Sequence, residues 1–326
     1  MDTPALARTL TAMAPRLVPG AQGIDGLRLL TGGASMQTWA FDAIRDGTST
    51  PLILRHNPGQ KNDADLAMEA SLMASADAAG VPVARIVWES GPSDPIQNAI
   101  VMARLEGETL GPRIVRDESF APARDLLTAQ CGAALAAIHR VMPDPPRPLD
   151  RRGPVEALAH YRQIWDRDPM PRAAIEAAFR WLADTVPEPV PPCLVHGDFR
   201  VGNLMVDPEN GLVGVLDWEL AHLGDPAEDL GWLCVNSWRF RRPDREVGGF
   251  GHLPALIEAY ENAGGMRIAP DRVRWWQAMG TLNWAVTTRS LFLAGGGSVE
   301  RAVIGRRLSE CEADLVALMS QPWSQS

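Results

Sequence analysis

Two carboxylates and an amide stand close together in the middle of the chain. Asp198 and Asn203 belong to Leu194-Val195-His196-Gly197-Asp198-Phe199-Arg200-Val201-Gly202-Asn203, and Asp217 to Val215-Leu216-Asp217-Trp218-Glu219. Between them the apolar runs 204–206 and 212–216 flank Asp207-Pro208-Glu209-Asn210-Gly211, and Asn-Gly between apolar runs predicts a hairpin. Asn203 and Asp217 are equally far from Asn210, so antiparallel pairing sets them opposite each other at the open end, with Cβ atoms roughly 4.5–5.5 Å apart. Two hard oxygen ligands at that spacing suit Mg2+. Asp198, on an irregular loop before the hairpin, is placed to accept a hydroxyl proton beside a metal-bound phosphate. The combination fits phosphoryl transfer, in which positioning and charge neutralisation supply most of the catalysis. The plain alternative is that Asp198 and Asn203 cap turns and Asp217 pairs with an arginine.

The elements that must position these groups fall into two regions. In the first hundred residues, apolar runs at 27–31, 38–43 and 51–55 are separated by Gly32-Gly33 and Arg45-Asp46-Gly47, and 84–89 and 99–104 bring the set to about five strands. Residues 63–79 have helical spacing and stop at Gly80, with Pro82 just beyond, as a glycine end and a following proline predict. After Gly107 the chain turns to alanine- and leucine-rich helical stretches at 122–141, 154–165, 172–185, 253–263 and most of 270–318, interrupted only by the strand-like region 193–218. The expected fold class is α+β: a small, mostly antiparallel β lobe with one main helix over residues 1–106, and a larger, mainly helical lobe over 107–326.

Composition narrows the functional classes. The 326 residues are 46% apolar and 22% charged, enough to bury a core and too apolar for a disordered chain. A net charge of -9 argues against general affinity for nucleic acid or anionic lipid, because such binding needs surplus positive charge. Lys61 is the only lysine, so any lysine chemistry must use it. Cys131, Cys193, Cys234 and Cys311 form no C-x-x-C pair, which excludes a zinc ribbon or dithiol motif and suits a reducing compartment. With neither a leader-like start nor an apolar run of membrane-spanning length, the expectation is a cytoplasmic protein with no membrane association.

The spacing H-x-D-x-x-x-x-N followed by a second aspartate is that of a kinase catalytic loop and its metal-binding aspartate. With Leu216-Asp217-Trp218-Glu219 and Leu223-Gly224-Asp225-Pro226-Ala227-Glu228-Asp229-Leu230, the chain resembles the aminoglycoside phosphotransferase and choline kinase superfamily. More narrowly, it is similar to the subgroup fused to, or encoded beside, acyl-CoA dehydrogenases. The resemblance extends to Leu30-Thr31-Gly32-Gly33-Ala34-Ser35, to Leu54-Arg55 with Pro58-Gly59, and to Glu69.

The resemblance implies a protein-kinase-like two-lobed fold that takes ATP, or GTP, with Mg2+ in its cleft. Asp198 would be the catalytic base, Asn203 and Asp217 the metal ligands, and His196 a support for the loop. Gly32, Gly33 and Ser35 would approach the phosphates. Arg55 stands where the superfamily commonly has a phosphate-pairing lysine, and a guanidinium can hold phosphate bidentately. Glu69, on the predicted helix, would pair with Arg55. Met102 and Arg104 would lie beside the adenine, and Asp229 would brace the catalytic segment. Asp225-Pro226-Ala227-Glu228 reads as a capping box, a structural role for Asp225.

The implied partner is a small-molecule hydroxyl acceptor, with the chain a monomer or homodimer. Subgroup resemblance favours a hydroxyacyl-CoA-type metabolite, whereas the acidic balance suits a cationic aminoglycoside. A non-catalytic nucleotide-binding module is the reading that the missing lysine suggests, and a two-metal phosphohydrolase would require more histidines near the cluster. Nine of the eleven tryptophans follow residue 150; Trp165, Trp181, Trp275, Trp276 and Trp284 either line an acceptor pocket or form core. Four arginines within residues 239–245 either hold an anionic acceptor or face water. Gly295-Gly296-Gly297-Ser298 reads as a helix break.

Overall fold

The computed structural model describes residues 2–32, 36–57, 64–168, 170–294 and 303–322. Gly33, Ser35, Lys61 and the 295–298 glycine run lie outside the described residues. The chain forms two compact units, one of Met1–Glu106 with Met142–Pro148 and the other of Gly107–Val141 with Leu149–Ser326.

The first unit opens with a helix that is not among the predicted elements: α1, Thr3–Leu17. Its signals are local. The Asp2 side chain accepts from the Ala5 N–H at 2.8 Å, Pro4 sits in the first turn, and Leu6, Leu10, Met13, Ala14 and Leu17 make one buried stripe. Strands β1 (Gly23–Gly32), β2 (Gln37–Arg45) and β3 (Thr48–His56) follow, then α2 (Ala64–Ala78), β4 (Ile86–Glu89) and β5 (Ala99–Ala103). The sheet order is β1-β2-β3-β5-β4, antiparallel at every step. The buried face of α1 packs with Trp39 and Phe41 of β2, Leu52 and Leu54 of β3, and Val101 of β5. The segment Met142–Pro148 is fastened to α2 by Ser71 Oγ donating to Asp144 O (3.3 Å) and by an Arg147–Asp65 ion pair (3.1 Å).

The second unit is mainly helical: α3 (Gly111–Arg116), α4 (Ala121–Arg140), α5 (Pro154–Asp166), α6 (Ala173–Asp184), α7 (Ala227–Leu233), α8 (Leu253–Asn262), α9 (Pro270–Leu293) and α10 (Arg307–Met319). Among these helices run β6 (Arg151–Arg152), β7 (Cys193–Val195), the hairpin β8 (Leu204–Asp207) and β9 (Gly211–Val215), and β10 (His222–Gly224). β10 pairs parallel with β6 and antiparallel with β7, so the ends of β7 and β10 hold the loop that carries Asp198. Among the described residues, no helix is long and apolar enough to cross a membrane.

Candidate active site

His196, Gly197 and Asp198 leave β7 on a turn that a side chain could not replace at its centre. Gly197 has φ +79°, and a Cβ there would lie 2.5 Å from the Leu220 carbonyl oxygen. Asp229 on α7 holds the turn from beneath: its Oδ2 accepts the His196 N–H (2.7 Å) and its Oδ1 the Gly197 N–H (2.9 Å). His139 of α4 links the same carboxylate (3.2 Å) to the Tyr260 hydroxyl of α8 (2.9 Å). Burial pushes the Asp229 carboxyl up, but the His139 hydrogen bond and the backbone N–H of His196 outweigh it and keep the group below its ordinary range.

His196 is fully buried, and desolvation pulls its pKa below the usual value despite the surrounding carboxylates. Its Nδ1 accepts the Asp198 N–H (3.2 Å), which assigns the proton to Nε2, the donor to Leu216 O (3.0 Å). The imidazole is thus a neutral strut between the loop and the strand that leads to Asp217.

The Asp198 carboxylate receives three donors. Asn203 Nδ2 lies 2.6 Å from Oδ2, while Trp232 Nε1 (2.7 Å) and Arg200 Nε (3.0 Å) converge on Oδ1. The same Asn203 Nδ2 also donates to Asp198 O (2.9 Å), and two acceptors on one nitrogen settle which way the amide faces. Asn203 Oδ1 is thereby turned away from Asp198.

The hairpin register differs from the symmetric expectation. Asp207 Oδ1 accepts from the N–H groups of Glu209 (3.0 Å) and Asn210 (2.7 Å) and from Asn210 Nδ2 (2.8 Å), closing a three-residue loop between the paired Asp207 and Gly211. A further irregularity falls between Met205 and Val206, so Leu204 faces Val215 and the Leu216 N–H donates to Asn203 O at 2.8 Å. Asn203 therefore stands across from Leu216, and Asp217 lies one residue past that pairing rather than directly opposite. Asp217 turns the chain there with φ +66°, a left-handed conformation that aspartate tolerates better than most residues.

In the first unit Arg55 of β3 and Glu69 of α2 form an ion pair through Nη1 and Oε1, with the Glu69 side chain only 4% exposed. Gly32 ends β1 opposite Gln37. Met102 is buried in β5 between Ile53 and Ile86, and Arg104 pairs with Asp42 (2.9 Å) and Glu106 (3.3 Å).

Asp225 does not complete a capping box. Its Oδ1 accepts the Ala227 N–H (3.0 Å), but its carboxylate is mainly the partner of Arg272, and Glu228 turns instead to His222 (3.2 Å). Trp165, Trp275 and Trp276 are core, at 1–2% exposure; Trp284 packs on the Trp232–Trp238 cluster. The arginines of 239–245 are largely engaged at home: Arg239 on Cys234 O (2.8 Å), Arg242 on Asp244 (3.4 Å) and Arg245 on His252 (2.9 Å). Arg200 and Trp232, which are not among the predicted site residues, touch Asp198. Arg200 could be suspected from its place two residues after Asp198, and Trp232 from lying one helical turn beyond Asp229.

Solved structures share this architecture over nearly the full chain. A Ralstonia eutropha protein assigned as an aminoglycoside phosphotransferase superposes with TM-score 0.74 at 20% identity, covering 99% of each chain. A choline/ethanolamine kinase family protein from Mesorhizobium loti gives 0.65 at 20% identity over 99% of this chain and 96% of that one, and a Brachybacterium faecium macrolide 2'-phosphotransferase 0.62 at 21% over 99% of each. At such identities the likeness is one of fold, the two-lobed α+β fold of small-molecule kinases.

The chain belongs to the phosphotransferase enzyme family (APH), whose profile matches residues 26–276. Mouse acyl-CoA dehydrogenase family member 11 is 40% identical over 167 residues, 47% of this chain and 20% of that protein. Mouse acyl-CoA dehydrogenase family member 10 is 44% identical over 63 residues, 19% of this chain and 6% of that protein. The chain thus spans a fifth or less of the length of these curated relatives.

Proposed function

We propose that this phosphotransferase moves the γ-phosphoryl group of ATP, with Mg2+, to a hydroxyl of a hydroxyacyl-CoA-type metabolite. The observation that carries the reading is the double hydrogen bond from Asn203 Nδ2 to Asp198, which holds the base and leaves the amide oxygen facing away. An amide oxygen and the Asp217 carboxylate are a hard donor set that fits Mg2+, an ion commonly bound through one or two carboxylates and substrate phosphates. Bound there, the ion would neutralise charge on the phosphate oxygens. Asp198 takes the acceptor's proton. Arg55, steadied by Glu69, supplies a permanent positive charge to the phosphates, and Gly32, Gly33 and Ser35 supply backbone N–H groups. Met102 and Arg104 flank the adenine, so residues 1–106 act as the nucleotide lobe and 107–326 as the catalytic lobe. The acyl-CoA class of acceptor is supported by the likeness to two acyl-CoA dehydrogenase family members.

The test is thermal stability with ATP or GTP, each with and without Mg2+, for the wild type and Asp217→Ala, followed by transfer of labelled phosphate to hydroxyacyl-CoAs or aminoglycosides. Saturation at a hundredfold excess over Kd stabilises by about 2.7 kcal/mol. A Mg2+-dependent shift absent from Asp217→Ala, with label on the acyl-CoA, is the expected result. Absence of any shift at millimolar nucleotide would overturn the nucleotide reading, and label only on aminoglycosides would overturn the acceptor.

A further inference from the structure

The acceptor capacity of the Asp198 carboxylate is unevenly used. A carboxylate offers about four lone-pair sites, two on each oxygen. Oδ1 takes two donors, Trp232 Nε1 at 2.7 Å and Arg200 Nε at 3.0 Å, whereas Oδ2 takes Asn203 Nδ2 at 2.6 Å. The side chain is 13% exposed.

Both donors to Oδ1 are held by one aromatic pair. The Trp232 and Trp238 rings meet at 5.2 Å, and the Arg200 guanidinium lies 4.9 Å from the centre of the Trp238 ring. Trp232 is fixed through its helix: a Cβ on Gly231 would meet the Gln277 and Trp276 backbone of α9 at 2.7 Å, so α7 and α9 are in close contact. Three residues before Trp232, on the same face of α7, is Asp229, which grips the N–H groups of His196 and Gly197. One turn of α7 therefore holds both the backbone of the catalytic loop and the side chain that it carries.

We propose that Trp232 is a positioning residue for phosphoryl transfer: its indole N–H, with Arg200, fills Oδ1, so that Oδ2 is the atom that receives the acceptor's proton. In that step the acceptor O–H bond breaks as Oδ2–H forms. The hydroxyl oxygen's electron pair makes the new bond to phosphorus, and the bond from phosphorus to the nucleoside diphosphate breaks with its pair on the leaving oxygen. The inference rests on the kinase reading above, and its test separates the two.

Turnover is measured with Mg-ATP or Mg-GTP and water as acceptor, for the wild type, Trp232→Phe, and a variant with 3-benzothienylalanine at 232, which keeps the indole shape without the N–H. The expected result is a kcat about tenfold lower in both variants, with the nucleotide KM within twofold and the melting temperature little changed in the isosteric one. An isosteric variant with wild-type kcat shows packing alone and overturns the proposal, as does a loss confined to KM. In parallel, indole-15N-labelled protein reports the contact directly: the resonance missing from Trp232→Phe should move upfield in Asp198→Asn, and a resonance that stays in place overturns the proposal without reference to catalysis. Wild-type protein that neither hydrolyses a nucleotide nor transfers label to any acceptor in the assay above overturns the kinase reading and this inference with it; if it transfers label without hydrolysis, the variants are compared by label transfer, and a normal wild type beside an unaffected isosteric variant overturns this inference alone.

Discussion

Replacing Asp229 by asparagine removes the brace under the catalytic loop while keeping its size. The carboxylate is fully buried and takes the His196 and Gly197 N–H groups at 2.7 and 2.9 Å, with His139 at 3.2 Å. An amide has one acceptor oxygen fewer, so at least one of these donors would face an NH2 group. Hydrogen bonds to a charged acceptor contribute about 1.5–3 kcal/mol, and an orphaned buried donor costs about 1–3 kcal/mol. The two effects together give an expected destabilisation of about 3–5 kcal/mol. For a unit of this size each kcal/mol lowers Tm by about 2–4 °C, giving a drop of about 6–20 °C. Urea unfolding followed by tryptophan fluorescence measures the difference. The carboxyl is held below its ordinary range in the folded chain, so its contribution is complete above the unfolded value near 3.9 and is lost as pH falls through the folded one. The gap between wild type and Asp229→Asn should be constant from about pH 5 to 8 and close in acid. A gap below 1 kcal/mol at neutral pH, or one that widens toward acid, would refute the reasoning.

Gly197→Ala should cost at least about 1–3 kcal/mol, since it adds a left-handed non-glycine residue to a contact with Leu220 O; chemical denaturation checks it. Arg55→Met removes the cation paired with the buried Glu69 and should destabilise the protein by about 1.5–3 kcal/mol, whereas Arg55→Lys should keep most of that stability and, on the proposed function, weaken nucleotide binding; calorimetry with and without nucleotide distinguishes the two effects. His222 is raised: burial lowers it, but the Glu228 hydrogen bond and charge and the Leu220 carbonyl prevail. A raised histidine stabilises most below its unfolded value near 6.5 and loses that contribution as pH rises through the folded value. Wild type should therefore exceed Glu228→Gln in stability at pH 6 by more than at pH 9, and equal gaps at both would count against the pair.

Much of the fold was readable because its signals are local. Gly80 and Pro82 mark the end of α2, and Asn210-Gly211 marks a hairpin, from backbone preference alone. The pairing of Arg55 with Glu69 was implied by the family resemblance rather than by spacing, and the two side chains do meet. The register of β8 and β9 did not follow, because Asp207 caps its own loop and draws the closing pair to Asp207 and Gly211, an outcome decided by three hydrogen bonds rather than by symmetry about Asn210. Helix α1 has its own local signals in Asp2 and Pro4. For Trp232 the sequence offers only its place one turn beyond Asp229; the contact with Asp198 itself depends on α7 lying against α9 at Gly231, a tertiary fact that spacing along the chain does not encode.

The segment Met142–Pro148 makes the first unit discontinuous along the chain. Its partners on α2, Ser71 and Asp65, emerge from the ribosome some seventy residues or more ahead of Asp144 and Arg147. A nascent first unit must therefore wait, incomplete, while α3 and α4 are synthesised. A fragment cut at residue 106 would carry α2 without this strap, so a self-sufficient version of the unit needs residues 142–148 rejoined to it by a designed linker.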